Sequence, residues 1–163
     1  MPGQQKLMDH LFIKIDGTDL PTQAMNDLIE ATVDSSLHLP DAFTLHLHDE
    51  KLQWIESGPF VLGKEVEITA QPETGGRAYV LFKGEITALE PDFGTGAQAT
   101  LLVRGYDRSH RLHRGTHSQA YVQVTDSDLA QRIAQAAGLR AEVDATSEVY
   151  DHVLQHNQTH MEF

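Results

Sequence analysis

Ten histidines are the residues of this 163-residue chain with the widest chemical range. Three groupings have spacings that metal sites use. His46-x-His48 lies in an alternating apolar stretch, so both rings project from the polar face of a strand, where i and i+2 side chains can share an ion. His110-x2-His113-x3-His117 sits among Arg108, Arg111 and Arg114, whose like charge disfavours a divalent cation. His152, His156 and His160 would share one face of a continuous helix, but Val149-Tyr150-Asp151 reads as extended and Thr159 as a helix start. An HxH pair alone is a weak motif. The reading adopted is therefore two exposed strand histidines, a solvated or partner-facing linker, and a polar loop entering a helix. No metal, cofactor or catalytic residue is assigned.

Other chemistries find less support. There is no cysteine, which excludes thiolate catalysis, cysteine metal ligation and disulfides, and fits cytosolic synthesis. No G-x-S-x-G elbow and no H-E-x-x-H occurs. Gly94-Thr95-Gly96 belongs to a hairpin-like turn rather than a phosphate cradle. The 24 carboxylates against 12 basic groups give a net charge of -12. This charge argues against nucleic-acid binding, which needs clustered cations. One basic island, Arg104–His117, interrupts the acidic body. It holds a single aromatic, Tyr106, so it lacks a stacking platform for single strands, and an acidic protein surface is its better complement. No apolar run approaches ~20 residues, and no direct membrane insertion is expected.

The elements around these residues are mostly strands. Period-two alternation marks half-buried strands. It runs through Leu11–Ile15, Ile29–Val33, Phe43–Leu47, Val66–Ala70, Val80–Ala88 and Ala99–Val103. Gly84 breaks one run where a bulge or bend fits. Turn residues separate the runs at Ser57-Gly58-Pro59, from Pro72 to Gly76 and from Pro91 to Gly96. This predicts an antiparallel barrel or sandwich without a long helix. The pattern changes after Gly105. Tyr106–His113 suits a helical turn or connector, and residues 120–124 a further strand. Thr125 is then an N-cap, with Asp126 and Asp128 in the first turn, Val124 and Leu129 at staple spacing, and Gly138 as the stop. Thr159-His160-Met161-Glu162 reads as a capping box with Phe163 as the first apolar residue of a following helix. Less than two turns would remain, so the chain is expected to be a truncated piece.

Two segments resemble a known family. One is Leu102-Val103-Arg104-Gly105-Tyr106-Asp107-Arg108 with Leu112-His113-Arg114-Gly115. The other is Tyr150–Phe163, with Gln155-x-Asn157-x-Thr159-x2-Glu162-Phe163 as its specific part. With Thr125–Asp128 between them, they resemble the hub proteins of contractile tails, a family that includes the phage late control D protein, the VgrG spike protein of type VI secretion and the hubs of phage-tail-like injection particles. The match in order and spacing spans roughly residues 80–163. His160 stands where that family usually has an acidic residue.

The resemblance implies a mainly β fold with a minor α part. Residues 1–112 would form an antiparallel tail-tube-like β-barrel, 113–118 a basic connector, and 119–163 the truncated start of a second α+β domain. It further implies a non-enzymatic trimeric hub in the full-length protein, joining a hexameric tail tube to a spike, with spike-tip and effector proteins as further partners. Such a protein is made in the cytoplasm and assembled into a phage-tail-like or type VI particle, with which it can be exported. Two other functions compete with this one. A sugar- or peptide-binding barrel is poorly supplied with aromatics, since Trp54 is the single tryptophan. A histidine-based metal hydrolase would need the groupings described above to converge.

Overall fold

The computed structural model describes residues 10–72, 76–94 and 99–163. They form two compact units, one ending at Asp107 and one running from Arg108 to Phe163.

The first unit is a seven-stranded sheet. Its strands are β1 (His10–Ile15), β2 (Thr18–Asp19), β3 (Leu28–Asp34), β4 (Ala42–His48), β5 (Glu65–Gln71), β6 (Tyr79–Phe93) and β7 (Ala99–Tyr106). The order β2-β1-β5-β6-β7-β4-β3 is antiparallel throughout, and the sheet curls into a half-barrel. Alternation decides which face is inside. Ile13 and Ile15, Phe43, Leu45 and Leu47, Val66 and Ile68, and Leu101 and Val103 are all buried on the concave side. Each such side chain contributes about 1.5–3 kcal/mol on burial, so this face is the dominant source of the unit's stability. The mainly β class with a minor α part is the one expected.

β6 carries the sheet round its bend. Its first half pairs with β5 and its second half with β7. The register shifts fall between Ile68 and Thr69 and between Ile86 and Ala88, on either side of Gly84 rather than at it. Gly84 has a different task. A Cβ there would strike the Tyr106 carbonyl and the Phe82 ring, and one at Gly105 would strike the Glu85 carbonyl and the Phe43 ring. The two rings pack 4.9 Å apart, tilted by 52°, and occupy the space that the two glycines leave open.

Two short helices escape the sequence pattern. α1 (Thr22–Asp27) and α2 (Gln53–Ser57) have six and five residues, too few for a helical period to show. The buried Asp49 builds α2, accepting from the amides of Trp54 at 3.0 Å and Ile55 at 3.1 Å. Trp54 in turn donates its indole N–H to Asp27 at 2.9 Å.

The second unit begins with a 3-10 turn, Arg108–His113, followed by β8 (His117–Val124), α3 (Asp126–Ala136) and β9 (Tyr150–Gln158). β8 and β9 form an antiparallel pair. α3 has the predicted start: Thr125 Oγ1 accepts from the Asp128 amide at 3.1 Å, and Asp128 accepts from the Thr125 amide at 3.2 Å. Gly138, at φ +68°, ends it, and the Leu139 amide bonds the Ala134 carbonyl at 2.8 Å. The core here is thin: Tyr121, Val124 and Leu129 are buried, with Val153 and Phe163 packed against them. Polar side chains therefore matter more to this unit than to the first.

Three sequence expectations need correcting here. Residues 152–156 are strand rather than loop or helix, because β8 offers a pairing partner that no local pattern reveals. Thr159 does open a capping box, but it closes a single turn. The turn read from Pro91 to Gly96 starts later, because Pro91–Phe93 continue β6 in register with β7; its residues 95–96, and 73–75 of the Pro72–Gly76 turn, lie outside the described residues.

Candidate functional site

The segment with the most specific sequence signature, Gln155–Phe163, spends its polar groups on its own shape. Gln155 is fully buried on the inner face of β9. Its amide nitrogen donates to the carbonyls of Gln158 at 3.1 Å and Thr159 at 3.2 Å, and its carbonyl oxygen faces the Tyr121 hydroxyl at 3.4 Å. Asn157 holds φ +50°, a left-handed conformation that asparagine tolerates better than most residues. Its amide donates to Ser118 Oγ at 3.0 Å. Thr159 and Glu162 bond reciprocally, at 2.8 Å from the Thr159 amide and 3.1 Å from the Glu162 amide. The bond from the Thr159 amide first, and the Thr159 hydroxyl second, hold the Glu162 carboxyl below its ordinary pKa. The Met161 amide reaches the Leu112 carbonyl at 3.0 Å, and Phe163 stacks on Tyr121 with centroids 5.7 Å apart. The result is a closed turn beside an apolar groove of about 400 Å³, lined among others by Leu112, Leu129, Ile133, Val153 and Phe163.

The histidine groupings do not converge. His46 and His48 point away from the core of the half-barrel, and His48 borders a polar cleft with Asp27, Glu50 and Lys51. His152 and His156 are exposed on β9. Among the described residues, no three His, Cys, Asp or Glu side chains are placed to hold a metal ion. One histidine pair does meet. His117 and His160 stack with centroids 3.9 Å apart and planes 9° from parallel. Burial first, and the charge of His117 second, hold the His160 pKa below its ordinary value.

The basic island is more structural than its sequence implied. Arg104 faces Glu90 at 3.5 Å on the sheet exterior, an exposed pair of small energetic weight. His110 is buried, and Arg111 donates to the Ala137 carbonyl at 3.0 Å, satisfying the C-terminal end of α3. The solvated-linker reading fails for these two residues because His110 is buried and the acceptor of Arg111 lies far along the chain. Arg114 stays exposed.

Two exposed features had no sequence signal. Leu37 (96% exposed) and Leu39 (67%) stand on the β3–β4 loop, shaped by the Ser36 hydroxyl, which accepts from the His38 and Leu39 amides. The loop is fastened at its base, where the Asp41 amide donates to Asp107 at 2.8 Å. The loop thereby displays two leucines to water.

The fold is similar to that of solved tail and type VI secretion proteins. The 43 kDa tail protein of prophage MuSo2 from Shewanella oneidensis shares it over 95% of this chain and 46% of its own, at TM-score 0.66 and 15% identity. The E. coli c3393 protein, a type VI secretion component with structural similarity to the T4 bacteriophage tail proteins gp27 and gp5, shares it over 91% and 40%, at TM-score 0.57 and 16% identity. A tail protein from Neisseria meningitidis MC58 does so over 78% and 34%, at 0.52 and 16%. The chain thus spans less than half of each.

By sequence, the chain belongs to the Alg8 N-terminal domain family, whose model matches residues 6–163. That family is not the VgrG or late control D family suggested by the motifs, although the solved structures share the tail-protein fold which that resemblance implied. No curated protein matches the chain.

Proposed function

We propose that this chain is a structural part of the hub of a contractile injection machine, whether a phage tail, a type VI apparatus or an extracellular particle. In this reading three copies of the full-length protein form a ring that joins a hexameric tail tube to the spike. Spike-tip and effector proteins dock further along, and the chain itself catalyses nothing, binds no nucleic acid and does not insert into membrane. It is made in the cytoplasm and built into the particle there.

The observation that carries this reading is the shared fold, which a 43 kDa prophage tail protein matches over 95% of this chain, through both of its units. The residue chemistry is compatible with it. Gln155, Thr159 and Glu162 bond to their own turn, and the exposed features are leucine-bearing loops and salt-bridged strand faces. No helix of the described residues is long and apolar enough to cross a membrane.

The test is to tag the full-length gene product in its native host. Light scattering should give a trimer mass, and purified sheathed particles should contain the tag. A monomer that is absent from such particles would refute the hub role.

A further inference from the structure

The His117–His160 stack lies where the second unit closes on itself. His117 begins β8, and His160 lies in the turn after β9. Besides stacking on His117, the His160 ring places Nδ1 3.4 Å from the amide nitrogen of Gln155. That nitrogen also faces two backbone carbonyls, so the Gln155 amide is oriented as a donor. Its two hydrogens face those carbonyls, and one of them can be shared with His160 only if Nδ1 carries a lone pair. A proton on Nδ1 would set donor against donor at a fully buried side chain, and would put a cation 3.9 Å from a second imidazole.

The surroundings offer little compensation for such a cation. From α3, Arg132 borders the same cleft as both rings and adds positive charge. Asp126, also on α3, borders the groove beside His160, but it accepts from the Tyr150 hydroxyl at 3.4 Å. From the 3-10 turn, His113 acts on Glu162. Within the closing turn itself, Glu162 is committed to Thr159.

We propose that His117 and His160 form a pH-sensitive clasp: as neutral rings they hold the Thr159–Phe163 turn closed on the β8–β9 hairpin, and protonation of His160 releases the turn and opens the apolar groove beside it. Release frees Phe163 from Tyr121 and Met161 from Leu112, two contacts that hold the turn in place. The open or unfolded turn has an ordinary histidine pKa of ~6.5, while the closed turn holds His160 lower. The closed form therefore binds fewer protons. Its stability is fully present above the ordinary value and falls as pH drops below it. The clasp depends only on these residues, so it stands or falls separately from the hub reading.

The test uses the chain as it is. Amide exchange protection at Met161 and Phe163, corrected for intrinsic rates, is compared at pH 7.5 and pH 5.5, with Leu45 and Leu101 of the half-barrel as controls. The expected result is a loss of up to about tenfold at the turn, the most that one group with an ordinary pKa of ~6.5 gives over this range, and none at the controls, accompanied by increased binding of an apolar dye. His160→Asn keeps an acceptor for Gln155 and cannot be protonated in this range, so it should retain its protection at pH 5.5. His117→Phe keeps a stacked ring and should show a smaller acid loss. Equal wild-type protection at both pH values would overturn the clasp. So would an acid loss that persists undiminished in His160→Asn, since another group would then be responsible.

Discussion

Gln155→Met probes whether a buried amide holds the second unit together. Methionine nearly matches glutamine in length and volume, so the change leaves little cavity and isolates the polar contribution. It removes the donor to the Gln158 and Thr159 carbonyls and the acceptor facing Tyr121. A buried polar group left without its partner costs about 1–3 kcal/mol. Gln158 and Thr159 are only half-buried, so water can reach part of each carbonyl, and the lower end of that range applies. The Tyr121 contact is long and adds little. The sum is about 2 kcal/mol, comparable to removing one of the unit's three buried apolar side chains. That corresponds to about a thirtyfold loss of amide protection along β8 and β9. Trp54, the single tryptophan, belongs to the first unit, so its emission serves as an internal control and should not move. A loss below about 0.5 kcal/mol at β8 and β9 would refute the claim that the Gln155 bonds organise this unit.

Gly105→Ala drives a Cβ onto the Glu85 carbonyl and the Phe43 ring, and should cost more than ~3 kcal/mol, seen as insoluble expression or a collapsed urea midpoint. Thr125→Ala removes the side-chain cap of α3 and should cost about 1 kcal/mol, read as lower helical ellipticity and faster exchange in the first turn. Under the hub reading, Arg114→Glu in the full-length protein should weaken self-association about tenfold at low salt and less at high salt, by sedimentation. Arg111→Glu is the wrong probe for that question, since it also strips the end of α3.

Local signals were legible in the sequence and distant ones were not. Phe43, Leu45 and Leu47 announce their strand because alternation is a property of neighbours, and Thr125 and Thr159 announce their caps for the same reason. His152, His156 and His160 are ambiguous in principle: a spacing of four satisfies a helical face and also keeps one parity along a strand. β8 settles the first two as strand, and it lies about thirty residues earlier in the chain. Arg111 looked like a cation awaiting a partner because its acceptor, Ala137, comes 26 residues later. Leu37 could not be told from a core leucine, since exposure is a property of the folded loop.

The same distinction bears on what a sequence signature means. Gln155, Asn157, Thr159 and Glu162 resembled a family motif, and each proves to shape a turn rather than to face a substrate. A unit with a thin apolar core has little else to fix that turn, so the pattern can be demanded by folding alone. Residues that contact a partner face no such local demand. They need only suit a surface outside the chain, as Leu37, Leu39 and Arg114 would, and they can vary as that surface varies. The features most useful for identifying this fold are therefore poor guides to its contacts, and the contacts must be sought among the exposed residues that no motif marks.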